Sequence, residues 1–247
     1  MRTFGLIGRK LSHSFSPKYF AQKFNKEGIL NTEYLAFPLT TIEEFPVLFQ
    51  KQENLVGLNV TIPYKTTVIP FLDKVDCAAS EIGAVNTIRL HNGELHGFNT
   101  DVYGFEQSLQ PLLKPYHQKA LVLGTGGAAK AVCYVLQQLN IPFKLVSRNP
   151  HASQLSYQII SPQLLEEYLL VINTTPLGMY PNINEAPSLP YLSVGNKHLF
   201  YDLVYNPQKT LFLQRAEAQG ATIKNGLEML HLQAEKAWQI WNNPNYS

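Results

Sequence analysis

Residues 121–131, LVLGTGGAAKA, have the residue types and spacing that bind the pyrophosphate of a dinucleotide. An apolar run typical of a buried strand leads into a fingerprint of the form G-x-G-x-x-G/A, with Gly124, Gly126 and Ala129 at its defining positions. This spacing gives a tight turn, close approach of the backbone to the pyrophosphate, and a helix N-terminus facing the phosphates. Glycines at this position also serve as plain connectors, so the pattern favours a cofactor site and leaves a connector as the alternative.

The residues after the next strand indicate which nicotinamide cofactor would fit. An NAD site places Asp or Glu there to accept a hydrogen bond from the ribose 2′-hydroxyl. This sequence has Ser147, Arg148 and Asn149 instead. A guanidinium pairs with a 2′-phosphate through charge-assisted hydrogen bonds, whereas a carboxylate would repel it. The sequence therefore predicts NADP, with an ordinary surface arginine as the alternative.

A strand–helix–strand unit must position this loop. Pro142 precedes a second predicted strand at residues 143–147, which completes a unit of the length that a Rossmann fold requires. Apolar residues between the glycines and Pro142 recur at helical spacing, so one helix face is predicted to pack on a sheet. These residues are Ala128, Ala131, Val132, Val135, Leu136 and Leu139.

Length and composition narrow the class of protein. A chain of 247 residues allows one large domain or two of ordinary size, and the glycine loop favours two, because more than a hundred residues precede Gly124. The composition, 45% apolar and 15% charged with a net charge of +2, is typical of a globular protein and gives no reason to expect nucleic acid or an acidic membrane as partner. Only two cysteines, Cys77 and Cys133, are present, which favours reduced thiols and a cytoplasmic enzyme. The histidines lack the spacing of a metal site, so no metal is expected.

The first hundred residues are predicted to mix strands with helices. Ser16 is predicted to cap a helix over residues 17–27, because Pro17 favours the first helical position. Asn92-Gly93 predicts a hairpin because both residues tolerate positive φ. Strands are expected at residues 3–8, 33–37, 55–62, 85–90 and 94–98. Further short helices are expected after a capping box of Thr40 and Glu43, from Tyr64 and Lys65 onward, and at residues 77–82.

Beyond residue 101, predicted strands and helices alternate, which indicates a parallel sheet. Asp101 is predicted to cap a connecting helix over residues 102–109. Later helices are predicted to start at Ser161-Pro162 and at Asn206-Pro207. The Rossmann strand is expected to start at Ala120, and further strands are expected at residues 169–173, 198–204 and 221–224. A C-terminal helix follows, with an apolar stripe of Leu230, Ala234, Ala237, Trp238 and Trp241.

Several separated motifs together resemble the shikimate dehydrogenase family over essentially the full length of the chain. The order and spacing of these motifs agree with the family. They are SHSFSP at 12–17, NVTIPYK at 59–65, GAVNT at 83–87, GFNTD at 97–101, GTGGAAKA at 124–131, NTTPLGM at 173–179, YDLVYNP at 201–207 and NGLEMLHLQA at 225–234.

The resemblance implies a fold and an activity. The family reduces 3-dehydroshikimate to shikimate with NADPH, and its N-terminal α/β substrate domain is separated by a cleft from a Rossmann-type, doubly wound parallel-sheet domain that binds NADP. On this chain, residues 1–101 would form the substrate-binding catalytic domain, completed by the C-terminal helix 226–247. Residues 102–225 would form the NADP-binding domain.

The resemblance also implies roles for individual residues. Lys65 and Asp101 would be the catalytic pair, and Ser14 and Ser16 would hold the substrate carboxylate. A carboxylate site at a helix N-terminus is chemically sensible, because free N–H groups point there. Asn59, Thr61, Asn86, Asp101 and Gln233 would bind substrate hydroxyls, and Tyr205 would line the same cleft. The cofactor would contact Gly124, Thr125, Gly126, Gly127, Ala128, Ser147, Arg148, Thr174, Gly226 and Met229.

Two departures from the family pattern bear on the cofactor. Family members usually have Asn-Arg-Thr or Asn-Arg-Ser in place of Ser147, Arg148 and Asn149, and Thr125 replaces a commoner alanine. Two other functions stay open: a quinate/shikimate dehydrogenase that uses both cofactors, and a non-catalytic NADP-binding regulator on the same fold. Arg148 argues against the first, and the presence of Lys65 and Asp101 argues against the second. The expected partner is a small-molecule substrate, and the expected state is a monomer or homodimer.

Overall fold

Two six-stranded β-sheets organise the chain in the computed structural model, which describes residues 1–12, 14–151 and 153–243. The contacts divide the chain into two units, Met1–Thr100 with the residues from Ala234 onward, and Asp101–Gln233. Each unit contains one sheet. Residues 244–247 of the predicted C-terminal helix lie outside the described residues.

The first unit has a mixed sheet with the strand order β2-β1-β3-β5-β6-β4. Strand β1 pairs in parallel with β2 and β3, whereas β5 pairs antiparallel with β3 and β6. Its elements are β1 (Arg2–Gly8), α1 (Phe15–Lys26), β2 (Thr32–Pro38), α2 (Phe45–Lys51), β3 (Leu55–Val60), β4 (Lys74–Val75), α3 (Cys77–Ile82), β5 (Thr87–His91) and β6 (Glu94–Phe98). The hairpin between β5 and β6 turns at Asn92 and Gly93, both at positive φ, as predicted.

The residues from Ala234 onward complete the core of this unit. They belong to α8 (Leu227–Asn242), the last helix among the described residues. Trp241 lies with its ring centroid 4.9 Å from that of Phe4 and 5.5 Å from that of Phe20, and its indole N–H donates to the Ile88 carbonyl at 2.9 Å. Aromatic side chains bury large apolar areas, so this cluster is a main source of stability for the unit. The predicted apolar stripe on the last helix is confirmed at Ala234, Ala237 and Trp241, which are buried.

The second unit has a wholly parallel sheet with the order β12-β11-β10-β7-β8-β9. Its elements are α4 (Thr100–Leu109), which begins one residue before the unit, β7 (Ala120–Leu123), α5 (Gly127–Gln138), β8 (Phe143–Ser147), β9 (Leu155–Ser156), α6 (Pro162–Glu167), β10 (Leu170–Asn173), β11 (Leu199–Asp202), α7 (Leu211–Glu217), β12 (Thr222–Lys224) and the start of α8. This order is that of the doubly wound Rossmann fold, which confirms the predicted fold class.

Alternate side chains of the central strands β7 and β10 pack on opposite faces of the sheet, and both faces are buried. In β7, Val122 packs in one apolar cluster while Leu121 packs in another, and in β10 the same holds for Ile172 and Val171. All four side chains are fully buried. Successive side chains of a strand point to opposite faces, so a continuous apolar run is what a strand between two helical layers requires.

Two predicted helix starts are wrong. Helix α1 begins at Phe15 with Ser14 as its N-cap, so Ser16 lies inside the first turn and Pro17 is the third helical residue. Proline is tolerated there because the N–H groups of the first turn have no intrahelical acceptor in any case. Helix α7 begins at Leu211 rather than at Asn206-Pro207, because Thr210 is its N-cap and accepts from the Leu213 N–H.

Three smaller predictions are also corrected. The capping box joins Thr41 and Glu44, one residue later than predicted, and the Thr41 N–H donates to Glu44 Oε1 at 3.1 Å. Asp101 lies within the first turn of α4 rather than at its cap. The segment after Pro63 forms consecutive turns, and its short 3₁₀ helix begins only at Ile69, so Tyr64 and Lys65 do not open a regular helix.

Both cysteines are free, as predicted, and burial raises the pKa of the Cys133 thiol to about 11. In the described parts of the chain, no helix is both long and apolar enough to cross a membrane.

Candidate active site

Two polar segments of the first unit bring four predicted site residues into neighbouring positions. Asn59 lies near the end of β3, and Thr61 and Lys65 follow in the turns beyond it. The Val60 N–H donates to the carbonyl of Asn86 at 2.8 Å, and the Lys65 carbonyl accepts from the Val85 N–H at 2.7 Å. The turn that carries Lys65 is therefore fixed beside the strand that follows Asn86.

The side chain of Asn86 has a defined orientation. Its Oδ1 accepts from the Thr100 N–H at 2.7 Å and from the hydroxyls of Thr87 and Thr100 at 3.1 and 3.2 Å. Because three donors point at Oδ1, the orientation of this buried amide is fixed, with its nitrogen on the opposite side. Sequence reasoning missed Thr87 and Thr100, although each follows an asparagine in the two Asn-Thr pairs of GAVNT and GFNTD.

Asn59 is part of the same buried network. Its Nδ2 donates to the Asn86 carbonyl at 3.3 Å and to the Thr87 hydroxyl at 3.2 Å, while its Oδ1 accepts from the Tyr34 hydroxyl at 2.8 Å. Burial raises the pKa of the Tyr34 phenol, and a hydrogen bond with the Ser16 side chain opposes that rise. Tyr34, which sequence reasoning also missed, thus lies between two residues of the predicted substrate site.

The two serines lie at the start of α1, on the same helical turn. Ser14 is the N-cap, but its side chain makes no capping hydrogen bond, and Ser16 is the second helical residue. Both side chains are partly exposed. The position of this pair at a helix N-terminus is compatible with holding an anion. His13, between Leu11-Ser12 and Ser14 in the SHSFSP motif, lies outside the described residues.

The glycine loop of the second unit lies between β7 and α5. Gly124 has φ of 107°, a conformation that side chains rarely adopt, and a Cβ there would lie 2.7 Å from the Thr174 hydroxyl oxygen. Gly126 is the N-cap of α5 and Gly127 its first residue, and a Cβ on either would meet open space. Thr125, Gly126 and Gly127 are exposed, whereas Ala129 is buried against the sheet, as the third fingerprint position requires.

Residues at the ends of the neighbouring strands flank this loop. Thr174 follows β10, and both its N–H and its hydroxyl donate to the Leu123 carbonyl, at 2.9 and 2.7 Å. Ser147 ends β8, and its hydroxyl accepts from the Asn149 N–H at 3.2 Å. Arg148 is exposed next to Tyr157: burial raises the pKa of Tyr157, and the positive charge of Arg148 opposes that rise. The guanidinium of Arg148 is therefore accessible to solvent just past the end of β8.

The remaining predicted residues of the second unit lie on α4, on α8 and between β11 and α7. The helix α4, which contains Asp101, packs closely on α8, because a Cβ on Gly104 would lie 2.5 Å from the Met229 carbonyl oxygen and 3.2 Å from the Gln233 Cβ. Met229 and Gln233 are buried, and the Gln233 Nε2 donates to the Leu230 carbonyl at 2.9 Å. Burial also raises the pKa of Tyr205.

Gly226 is held against the segment after β11. A Cβ on Gly226 would lie 2.1 Å from the Leu203 carbonyl oxygen, and the Gly226 N–H donates to the Val204 carbonyl at 3.3 Å. No other residue fits this position without moving the backbone. Among the described residues, no group of three or more His, Cys, Asp or Glu side chains is arranged to hold a metal ion.

Comparison with known proteins identifies relatives of this chain. The profile of the shikimate dehydrogenase substrate-binding domain matches residues 6–88. A shikimate dehydrogenase (NADP(+)) from Methanococcus vannielii is 35% identical over 96% of this chain and 90% of its own length. The structure of shikimate 5-dehydrogenase from Thermus thermophilus in complex with NADP(H) and shikimate is 32% identical, with a TM-score of 0.85 over 98% of this chain and 94% of that one.

A structure that is named for a different activity and holds a different cofactor is also similar. Quinate dehydrogenase from Corynebacterium glutamicum, in complex with NAD, is 25% identical, with a TM-score of 0.86 over 98% of this chain and 93% of that one. Fold similarity alone therefore does not separate the two activities. The sequence identity over nearly the whole of both chains does identify the family: this chain belongs to the shikimate dehydrogenase family of oxidoreductases.

Proposed function

We propose that this chain catalyses the reversible, NADP-dependent interconversion of 3-dehydroshikimate and shikimate. The observation that carries the proposal is the glycine loop at the switch point of a Rossmann sheet, followed one strand later by an exposed arginine where an NAD enzyme has an acid. The relative from Methanococcus vannielii is an NADP(+) enzyme, and the similar Thermus thermophilus structure holds NADP(H) together with shikimate.

The residues present fit a dinucleotide. A Cβ on Gly124 would clash with Thr174, so glycine is needed there for the tight turn, whereas the positions beside Gly126 and Gly127 are open and leave the backbone accessible to a pyrophosphate. Gly124, Thr125, Gly126, Gly127 and Ala128 would hold the pyrophosphate, and Ser147 and Arg148 the adenosine phosphate. Thr174, Gly226 and Met229 would complete the site. When bound, NADPH supplies the hydride that reduces the substrate carbonyl.

The proposed substrate site lies on polar side chains that the sequence predicted. Ser14 and Ser16 would donate hydrogen bonds to the substrate carboxylate. Asn59, Thr61, Asn86, Asp101 and Gln233 would contact its hydroxyls, with Tyr205 nearby. An asparagine suits this task because its amide both donates and accepts hydrogen bonds, as a hydroxyl does.

Lys65 is proposed as the general acid of the reduction. Negative charge develops on the carbonyl oxygen during the reaction, and the Lys65 ammonium would donate a proton to that oxygen. Asp101 would orient the lysine as its partner. A lysine is suited to this role because its three N–H donors can address a carboxylate and a substrate oxygen together.

The test is a steady-state assay of the purified chain with shikimate or quinate as substrate and NADP or NAD as cofactor, followed by nicotinamide absorbance. The proposal expects shikimate with NADP to give the highest kcat/KM of the four combinations. A preference for quinate with NAD would favour the activity named for the Corynebacterium glutamicum structure. No turnover with any combination, together with measurable NADP binding, would favour a non-catalytic regulator.

We further propose a cytoplasmic location and a monomeric or homodimeric state. The free thiols of Cys77 and Cys133 are compatible with a reducing compartment. Cell fractionation tests the location, and sedimentation velocity of the purified chain tests the state.

A further inference from the structure

A buried carboxylate joins the ends of two neighbouring strands of the Rossmann sheet. Asp202 ends β11 and Asn173 ends β10, the two are paired in register, and neither is exposed to solvent. Asp202 Oδ1 accepts from Asn173 Nδ2 at 2.9 Å and from the Val204 N–H at 3.0 Å, while Oδ2 accepts from the Thr210 hydroxyl at 2.5 Å. Burying an ionisable group is costly unless its hydrogen bonds are satisfied, so this position has a specific role in the structure.

The bonds continue from Asn173 into the loop that borders the cofactor site. Asn173 Oδ1 accepts from the N–H of Thr175 at 3.0 Å and from its hydroxyl at 2.6 Å. Thr174 and Thr175 are the nearest neighbours of the missing side chain of Gly124, since a Cβ there would lie 2.7 Å from Thr174 Oγ1 and 3.0 Å from Thr175 Cγ2. Thr174 and Thr175, in the loop after β10, therefore pack directly against Gly124, the first glycine of the fingerprint.

The bonds also reach the other flank of the site. The Val204 N–H donates to Asp202, while the Val204 carbonyl accepts from the Gly226 N–H at 3.3 Å. The Leu203 carbonyl oxygen lies directly against Gly226, where no Cβ fits. Asp202 thus holds the segment on which Gly226 packs.

We infer that Asp202, acting through Asn173, is a positioning residue for NADP: it fixes the loop after β10 against Gly124 and the segment after β11 against Gly226. This inference rests on the proposed cofactor site and adds to it two buried residues that would not touch the cofactor. Both lie at the carboxyl ends of parallel strands, the edge where open α/β sheets bind ligands.

Hydrogen-bond acceptance, rather than charge, is what this role needs. An asparagine at position 202 can keep its Oδ1 toward Asn173 and Val204 and turn its amide nitrogen toward Thr210, whose hydroxyl can accept as well as donate. An alanine would leave three buried donors without an acceptor, which is costly. Asp202→Asn therefore removes the charge and keeps the hydrogen bonds, whereas Asp202→Ala removes both.

The experiment measures NADP binding directly, by isothermal titration calorimetry of the full chain. Asp202→Ala should weaken NADP binding by roughly 10-fold or more, while Asp202→Asn should stay within about 3-fold of the wild type. His198→Ala is the matched control, because His198 is buried just before the opposite end of the same strand and bonds to the Leu165 carbonyl and the Gly195 N–H. It should lower the melting temperature without weakening NADP binding.

Thr175→Val provides a second variant in case Asp202→Ala does not fold. It is close in shape and removes the hydroxyl that donates to Asn173 Oδ1 at 2.6 Å and accepts from the Leu177 N–H at 3.3 Å, so NADP binding should weaken several-fold in a chain that still folds. Unchanged NADP affinity in Asp202→Ala or in Thr175→Val would overturn the inference, as would an equal loss in Asp202→Asn and Asp202→Ala. Wild-type chain that binds no NADP would overturn the proposed function and, with it, this inference.

Discussion

The Tyr34 hydroxyl donates to Oδ1 of Asn59 at 2.8 Å, and this bond fixes which way the asparagine amide faces. The opposite side of the amide must be nitrogen, because it points at the Asn86 carbonyl, which can only accept. A tyrosine of β2 therefore sets the orientation of a proposed substrate ligand on β3.

Tyr34→Phe removes only this hydroxyl. We expect the free energy of unfolding to fall by about 1–3 kcal/mol, because a buried amide oxygen loses its donor. The KM for shikimate should also rise, since Asn59 loses the only one of these bonds that holds its Oδ1, while the KM for NADP should not change. Tyr191→Phe is a control that loses a similar hydroxyl bond, to the Pro187 carbonyl at 2.8 Å, and should leave both KM values unchanged. An unchanged shikimate KM in Tyr34→Phe would contradict a binding role for Asn59.

Arg148→Ala should weaken the use of NADP selectively. A hydrogen bond to a charged group contributes about 1.5–3 kcal/mol, so the apparent affinity for NADP should fall roughly 10- to 100-fold with little change for NAD. Lys144→Ala removes an exposed positive charge from β8, the strand that Arg148 follows, and controls for general electrostatic attraction. Comparable losses for both cofactors in Arg148→Ala would exclude a contact with the 2′-phosphate.

Ser14→Ala and Ser16→Ala should each raise the KM for shikimate. Loss of a charge-assisted hydrogen bond predicts a rise of roughly 10- to 100-fold. Ser14→Ala should leave the melting temperature nearly unchanged, because Ser14 makes no side-chain capping bond. Ser16→Ala should lower it modestly, because the buried Tyr34 hydroxyl loses its bond with Ser16. Steady-state kinetics and thermal unfolding of both variants check this, and normal KM values in both would rule out the carboxylate site.

Lys65→Ala should lower kcat by about 10²- to 10⁴-fold, the range for loss of a positioned general acid, with a smaller effect on the KM for shikimate. Asp101→Asn should lower kcat as well and raise KM if the carboxylate also binds a substrate hydroxyl. The double variant should be hardly worse than Lys65→Ala, because residues that act as one unit are not additive. Near-normal kcat in Lys65→Ala, or fully additive losses, would show that the two are not a catalytic unit.

Asp202 should make stability depend on pH. Burial raises the pKa of Asp202 to about 6, although hydrogen bonds from Thr210, Val204 and Asn173 oppose the rise. Between the unfolded and folded pKa values the folded state keeps a proton that the unfolded state has released, so the contribution of this group to stability is lost as pH rises through about 6.

The variant Asp202→Asn has no carboxyl group at this position, so its side chain does not titrate in this pH range. Relative to that variant, the wild type should lose about 2 kcal/mol of unfolding free energy between about pH 4 and about pH 7. Urea unfolding of both proteins across this pH range measures the difference between their unfolding free energies. The titration of all other groups is common to both proteins and cancels in that difference. A constant difference would mean that Asp202 titrates alike in the folded and unfolded states.

Local patterns predicted the Rossmann unit well, because each part of it has a local cause. The apolar run of β7, the glycines after it and the helical spacing of α5 lie within a single short segment, and each is dictated by burial or by backbone geometry. Prediction was weaker where one residue type suits two positions. Pro17 fits the third residue of a helix as well as the first, so the true cap, Ser14, was missed.

The polar networks could not be predicted in this way. Asn173 and Asp202 lie 29 positions apart, and Asn86 and the Thr100 N–H lie 14 apart. Strand order and register bring each pair together, and neither is visible in a local pattern. The resemblance of separated motifs indicated Asn86, but nothing local in the sequence distinguished the buried partners that orient it.

The position of Trp241 in the core of the first unit sets the order in which a newly made chain can fold. Phe4 and Phe20 leave the ribosome early, yet the tryptophan that packs against them is made only after the whole of Asp101–Gln233. The second unit is continuous in sequence and can bury its own apolar residues during synthesis, as domains generally do. The first unit therefore cannot complete its aromatic core until Trp241 has been made, and Phe4 and Phe20 stay without this partner while the second unit is synthesised.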